Sequence, residues 1–166
     1  KLSKLSKLSK LSKFIKMSIN NKNLKFDRRV SVAPMMAYTD KHCRYFHRLL
    51  SKNALLYTEM LTTGALIYGD REHYLQLDVL PGPVAYQLGG SNPDDLAKCA
   101  RWIEQAGFSE VNLNVGCPSD RVQRGCFGLS LLKTPELVLD CVSAMKEAVK
   151  NIPITVKTRI GYDEFD

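Results

Sequence analysis

Short apolar runs that alternate with helix-patterned segments constrain the fold of this chain more than any other feature. The runs occupy residues 31–33, 54–58, 84–88, 110–114 and 154–158. Asp40 is placed to cap a first helix that runs to about Lys52. Ser91-Asn-Pro-Asp-Asp opens another, with proline in its first turn and acids at the positive end of the helix dipole. It carries Leu96, Cys99, Ala100, Ile103 and Ala106 at helical spacing and stops at Gly107. Thr134-Pro-Glu-Leu opens a third, expected to bury Leu137, Val138, Cys141, Val142, Met145 and Val149. Residues 61–83 read as irregular and polar, with one short helical turn. Residues 120–128 read as a glycine-punctuated loop without regular structure. Single strands joined by such helices form parallel βαβ units, so the class is α/β.

A doubly wound sheet and a (β/α)8 barrel share this pattern. What separates them is the position of the unusual residues. Pro34, Met35 and Met36, then Glu59, Gln87, Asn114 with Cys117, and Lys157 with Arg159 all fall at or just past the C-terminal end of a strand. In a barrel those ends converge on one mouth, where enzyme sites are built. No G-x-G-x-x-G follows the first strand, which argues against a dinucleotide crevice. The expected fold is therefore a (β/α)8 TIM barrel, incomplete at about its first five strands.

Charge adds little. The formal net charge is +7, but the first 16 residues carry six lysines and no acid. Without those six, 18 basic residues face 17 acidic ones. Net charge alone is then no evidence for RNA binding. Lys-Leu-Ser occurs four times in the first twelve residues, and leucines at every third position rotate around a helix instead of marking one face. Residues 1–26 are expected to be a disordered, low-complexity extension, with Met17 as the natural start and 27–166 as the folded part. A basic, serine-rich transit peptide is the other reading, and the absence of arginine speaks against it. The missing initiator methionine and the stop at Asp166 read as the ends of a fragment.

The five cysteines contain no C-x-x-C pair, so neither a zinc site nor a redox pair is indicated and no metal is expected. Their odd number, with no secretory or membrane-length apolar run, fits a reducing cytoplasm without membrane contact; a monomer is expected. Cys43, Cys99 and Cys141 read as small buried hydrophobes, and Cys126 is assigned the same inert role.

Cys117 reads differently. Asn112-Leu-Asn-Val-Gly-Cys-Pro-Ser119 is a buried strand that ends in a turn stiffened by Pro118. A thiol at the mouth of a strand is poorly placed to fill a core and well placed to react. Together with Ala33-Pro-Met-Met, Gln87-Leu-Gly-Gly and Val156-Lys157-Thr-Arg-Ile-Gly161, this stretch resembles the flavin-dependent tRNA-dihydrouridine synthases, in particular their A-type branch. The resemblance covers residues 30–163 and independently implies the barrel. It implies reduction of uridine to 5,6-dihydrouridine in the D-loop of tRNA, around position 20 or 20a, with bound FMN as hydride source and NADPH as its reductant.

The resemblance also implies roles for individual residues. Cys117 matches the proton donor to C5; an ordinary thiol pKa of about 8.5 keeps it protonated yet able to release its proton. Gln87 would meet the flavin's pyrimidine edge, or else hydrogen-bond a neighbouring loop. Lys157 would sit beside flavin N1, or else pair with Glu59 or another carboxylate. The backbone at Pro34, Met35 and Met36 would approach the flavin ring. Asn114 would orient the substrate base, and Arg159 and Gly161 match the family's Arg-Ile-Gly turn. Arg121 and Arg124 would contact tRNA phosphate, although loop arginines are commonly just solvated. Tyr38, Tyr57, Tyr68 and Tyr74 are candidates for base stacking, and nothing in the sequence selects among them.

Gly125-Cys-Phe-Gly-Leu-Ser-Leu-Leu132 departs from the family's Gly-Arg-Phe-Gly-Ala-Cys-Leu-Met, replacing an arginine by Cys126 and an alanine by Leu129. The family's later histidine, flavin-phosphate loops and helical RNA-binding domain have no counterpart up to Asp166. Residues 1–166 alone are accordingly expected to hold FMN weakly and to be inactive. The rival readings are a flavin barrel acting on a free pyrimidine or enone, and a truncated, non-catalytic remnant.

Overall fold

A computed structural model describes residues 26–162. The expectations for the Lys-Leu-Ser repeat and Met17 lie outside the described residues.

Five strands form one parallel sheet: β1 (Ser31–Val32), β2 (Leu55–Thr62), β3 (Val84–Gly89), β4 (Glu110–Val115) and β5 (Ile154–Thr158). Their spatial order is their sequence order. A doubly wound sheet reverses direction at a switch point, and this sheet does not. The architecture is a half-barrel with alternating helices, the first five strands of a (β/α)8 barrel.

Register gives the sheet two unlike faces. Gln87 lies opposite Asn112, Asn112 opposite Thr155, and Asn114 opposite Lys157, which makes the inner face polar. Tyr86 opposite Val111 and Leu88 opposite Leu113 make the outer face apolar. Helices α4 (Pro93–Gln105) and α6 (Pro135–Ala148) pack on that outer face. Leu96, Cys99, Ala100 and Ile103 from α4 and Cys141 and Met145 from α6 are fully buried. Burying Leu96 or Ile103 stabilises by roughly 1.5–3 kcal/mol each. As expected, α4 starts with Pro93 behind an Asn92 cap whose side chain accepts from the Asp95 N–H at 3.1 Å. Leu137, Val149 and Ala106 are only partly buried against this core.

Helix α1 (Lys41–Leu50) is capped by Asp40, which accepts from the Cys43 N–H at 2.8 Å. Its buried arginines anchor the chain between β2 and β3. Arg44 grips Asp78 through Nε and Nη2 (2.8 and 2.7 Å) and the Thr39 carbonyl through Nη1 (2.8 Å). Arg48 donates to the carbonyls of Ala54 (2.9 Å) and Pro83 (2.8 Å).

Three expectations need correction. Strand β2 does not end at Thr58 but runs to Thr62, with one extra residue inserted between Tyr57 and Met60 relative to β3. Thr58 bridges the irregularity: its hydroxyl donates to the Glu59 carbonyl and accepts from the Gln87 N–H. The following segment is more helical than expected, with α2 (Thr63–Tyr68) buried through Leu66 and α3 (Arg71–Tyr74) capped by Asp70. Residues 120–128 are not structureless either. They hold α5 (Asp120–Arg124), anchored by buried Val122, and lead into a 3-10 helix (Gly128–Lys133) that buries Leu129 and Leu131.

Candidate active site

Strand β4 places Glu110, Asn112 and Asn114 on the inner face, because side chains alternate along a strand. At its end the chain leaves the sheet as Gly116-Cys117-Pro118. Asn114 Oδ1 accepts the backbone N–H groups of Gly116 (3.1 Å) and Cys117 (2.9 Å). The last inward side chain of the strand thus caps the turn that follows it. Arg159, just beyond β5, donates from Nε to the Gly116 carbonyl at 2.7 Å. The Cys117 carbonyl accepts from the Leu129 N–H at 3.0 Å. Gly128 makes that closure possible: its φ is +64°, and a Cβ there would lie 2.8 Å from the Cys117 oxygen. The Cys117 thiol is free and half-buried, with Sγ 3.5 Å from Ser119 Oγ.

Gln87 is buried beside this turn. Its Oε1 accepts from Asn114 Nδ2 at 3.0 Å, and its Nε2 donates to Asn112 Oδ1 at 2.7 Å. Its partners in the protein are therefore side chains of β4 and not a neighbouring loop. One amide hydrogen and one lone pair remain unspent.

Lys157 does not end a buried strand. Strand β5 is the edge of the sheet, and Val156, Lys157 and Thr158 are exposed. Among the described residues Lys157 forms no ion pair, and Glu59 is engaged elsewhere, its Oε1 accepting the Ala37 N–H at 2.6 Å. That bond and the buried Thr39 hydroxyl, which joins the N–H and carbonyl of Met35, pin the turn after β1. Pro34 is half-buried, and the side chains of Met35 and Met36 are exposed at the strand's end. Ala37 takes a left-handed φ of 64° within this turn. Arg121 and Arg124 are exposed on α5, a helix and not the loop expected.

The sequence reading missed the lower half of the inner face. Glu110, fully buried, accepts the hydroxyls of Thr155 and Tyr57 (the latter at 3.0 Å) on Oε1. Arg28 reaches in from before β1 and sets Nη2 2.5 Å from Glu110 Oε2 as an ion pair, although neither Arg28 Nε nor Glu110 Oε2 has a hydrogen-bond partner among the described residues. Burial first, then the Glu110 carboxylate, pushes the Tyr57 phenol well above its ordinary value, so it stays a donor. Tyr57 is thereby removed from the base-stacking candidates. The available signal was a polar residue at every second position of β4: Glu110, Asn112, Asn114.

The remaining cysteines differ from Cys117. Burial raises the Cys99 thiol to about 12 and the Cys141 thiol to about 11, which makes both inert. Cys43 is only half-buried. Cys126 is exposed at a left-handed φ of 54°, and not the buried hydrophobe expected. Among the described residues no group of three or more His, Cys, Asp or Glu is placed to hold a metal, and no helix is long and apolar enough to cross a membrane.

A thiol presented at the C-terminal ends of parallel strands, above a hydrogen-bonded polar inner face, is the arrangement of a barrel-enzyme site. Comparison with known proteins gives the family. The dihydrouridine synthase (Dus) family model matches residues 31–166. The tRNA-dihydrouridine(20/20a) synthase of Vibrio parahaemolyticus is 61% identical over 138 residues, covering 83% of this chain and 42% of that protein. Those of Shewanella oneidensis (60% over 153 residues, 92% and 44%) and Pseudomonas syringae (63% over 139 residues, 84% and 41%) are similar to the same part. The chain belongs to the dihydrouridine synthase family, and it spans about two fifths of the length of these curated relatives.

Proposed function

We propose that this chain forms the catalytic half of a barrel that reduces uridine to 5,6-dihydrouridine in tRNA, at positions 20 and 20a of the D-loop. The observation that carries the reading is the capped turn of β4, which presents a free thiol at the mouth of the site in a chain about 60% identical to proteins named for that reaction. Reduced FMN, recharged by NADPH, supplies the hydride to C6 when bound.

The residues present fit such a cofactor. Gln87 keeps an unspent donor and acceptor, which suit the alternating edge of a pyrimidine ring once its buried amide is uncovered. Lys157 offers a cation in register with Asn114, able to balance the negative charge of a reduced flavin. Pro34, Met35 and Met36 supply backbone and apolar surface at the end of β1.

Cys117 acts on the substrate. Its S–H bond breaks as a C–H bond forms at C5, so the thiol returns as thiolate and is reprotonated from water. The uridine must leave the base stack first, because stacked neighbours cover C5 and C6. Asn114 orients the reaction mainly by holding Cys117; one of its amide hydrogens remains for the base. Arg121 and Arg124 serve tRNA phosphates. The free thiols Cys43, Cys117 and Cys126 suit a reducing compartment such as the cytoplasm. Replacing Cys117 with Ala in the holoenzyme should abolish turnover on tRNA and leave flavin reduction by NADPH intact. Loss of both activities would make Cys117 a structural residue.

A further inference from the structure

We propose that Glu110 is a positioning residue that fixes the presentation of Cys117 through a one-way hydrogen-bond relay along the inner face. The relay runs from the Glu110 carboxylate to the Thr155 hydroxyl, then through the side chains of Asn112, Gln87 and Asn114 to the backbone N–H groups of Gly116 and Cys117. Glu110 and Asn114 are four residues apart on one strand, so the relay climbs about 13 Å from the floor of the sheet to its mouth.

Each amide in the middle has nearly the same shape when turned by 180°, so shape does not choose its sense. The two ends choose it. A carboxylate paired with Arg28 can only accept, and it takes the single hydrogen of Thr155. Thr155 must then accept from Asn112 Nδ2, at 2.8 Å. That turns Asn112 Oδ1 toward Gln87 Nε2, Gln87 Oε1 toward Asn114 Nδ2, and Asn114 Oδ1 toward Cys117. At the far end, backbone N–H groups can only donate. Both ends demand the same sense, and reversing any one amide sets oxygen against oxygen or N–H against N–H.

Water reaches the relay at Thr155, which is half-buried on β5, and is excluded from its other side chains. Glu110, Gln87 and Asn112 are 0, 1 and 2% exposed and Asn114 is 8% exposed. Buried amides without correctly directed partners are costly, and linked hydrogen bonds reinforce one another. Tyr57 adds a second donor at the same Glu110 oxygen, which strengthens the acceptor end. The same relay decides which valences of Gln87 stay unspent. The inference rests on the proposed reaction only for what Cys117 does; the hydrogen bonds themselves do not depend on it.

The test uses the full chain and reads the relay directly. Glu110→Gln keeps shape but removes the acceptor-only end, and Thr155→Val removes the hydroxyl while keeping shape. Thr155→Ser restores the hydroxyl. Amide hydrogen exchange by NMR should quicken at least tenfold at Cys117 and Gly116 in the first two variants, while the Gly69 N–H, which is bonded to the Ala65 carbonyl on a separate helix, is unchanged. The side-chain NH2 signals of Asn112, Gln87 and Asn114 should shift or double, and Thr155→Ser should resemble the parent. Unchanged exchange at Cys117 with unchanged NH2 signals overturns the proposal. So does an equal loss of protection at Cys117 and Gly69, which would mean general destabilisation. If Glu110→Gln does not fold, the Val and Ser variants at Thr155 decide between these outcomes. Failure of the relay is distinguishable from failure of the proposed reaction, because Cys117→Ala tests the proton donor and leaves every group of the relay in place.

Discussion

Asn114 Oδ1 holds the backbone N–H of Cys117 at 2.9 Å, so the last inward side chain of β4 positions the residue that leaves the sheet. Its Nδ2 is spent on Gln87 in the same arrangement. Asn114→Ala removes the acceptor for two N–H groups and strands the buried oxygen of Gln87. The expected cost is about 1–3 kcal/mol of stability. Turnover on tRNA should fall roughly 10- to 100-fold if the lost order is that of the reacting thiol. Urea unfolding and single-turnover kinetics check both. A variant within twofold of the parent in each would show that something else holds the turn.

The thiols divide sharply by environment. Burial raises Cys99 to about 12 and Cys141 to about 11. At pH 8 their thiolate fractions are then about one in ten thousand and one in a thousand. Iodoacetamide followed by peptide mapping should label Cys126 and Cys117 in the folded chain, and Cys99 and Cys141 only after unfolding. The same shifts set a pH dependence. An unfolded thiol loses its proton from about pH 8.5, whereas these folded thiols keep theirs to higher pH. The unfolded state therefore binds fewer protons, and stability falls as pH rises. The slope reaches up to roughly 1.4 kcal/mol per pH unit for each thiol between about pH 9 and 11. Below about pH 8 both states are protonated and the contribution is fully present. The phenols of Tyr57 and Tyr86, also raised by burial first, act in the same direction from about pH 10. Replacing Cys99 and Cys141 with Ala should flatten the profile between pH 9 and 10; an unchanged slope there would refute the assignment.

The sequence was legible where local pattern and tertiary environment agree. The bounds of β5 and the start of α4 follow from an apolar run and a proline-bearing cap, and the structure keeps both. Strand β2 was cut short because Thr58 and Glu59 look polar, while the irregularity that accommodates them depends on β3 donating to Thr58. Helix α5 was missed because a single apolar residue, Val122, anchors it, too little for a periodic signal. At the mouth, Gln87, Asn114 and Cys117 stand at or just past strand ends, and register adds the hydrogen bonds that join them. Lys157 lies on β5, the last strand of the described sheet, where its side chain is exposed. Glu110, Asn112 and Thr155 were overlooked because only register brings the polar residues of neighbouring strands into line.

Arg44 and Asp78 tie helix α1 to the irregular chain before β3 in a two-pronged pair. Both side chains are about nine-tenths buried, at 10 and 11% exposure. Arg44→Met leaves the Asp78 carboxylate and the Thr39 carbonyl without their donor. The expected loss is about 3 kcal/mol, read as a lower urea midpoint at constant slope. Arg44→Lys should recover only part of it, because an ammonium cannot reproduce the planar fork. A loss below about 1 kcal/mol for the Met variant would show that the segment is held chiefly by Arg48 and Tyr86, whose hydroxyl donates to the Tyr74 carbonyl at 3.1 Å.

Lys157 separates cofactor chemistry from folding more cleanly than any other residue of the inner face. It is exposed on the edge strand and forms no ion pair among the described residues, so Lys157→Met should change stability by less than about 0.5 kcal/mol. If its cation balances charge on a reduced flavin, the variant should still be folded but harder to reduce. The holoenzyme's rate of reduction by NADPH should drop about 10- to 100-fold, equivalent to roughly 1.4–2.8 kcal/mol of lost stabilisation. The flavin midpoint potential should move to more negative values, because the reduced anion loses its counter-charge while the neutral oxidised ring loses little. Potentiometric titration beside urea unfolding tests the pair of expectations together. A potential that stays at the parent's value, with reduction equally fast, would assign Lys157 to solvent and leave the flavin's charge to be balanced elsewhere.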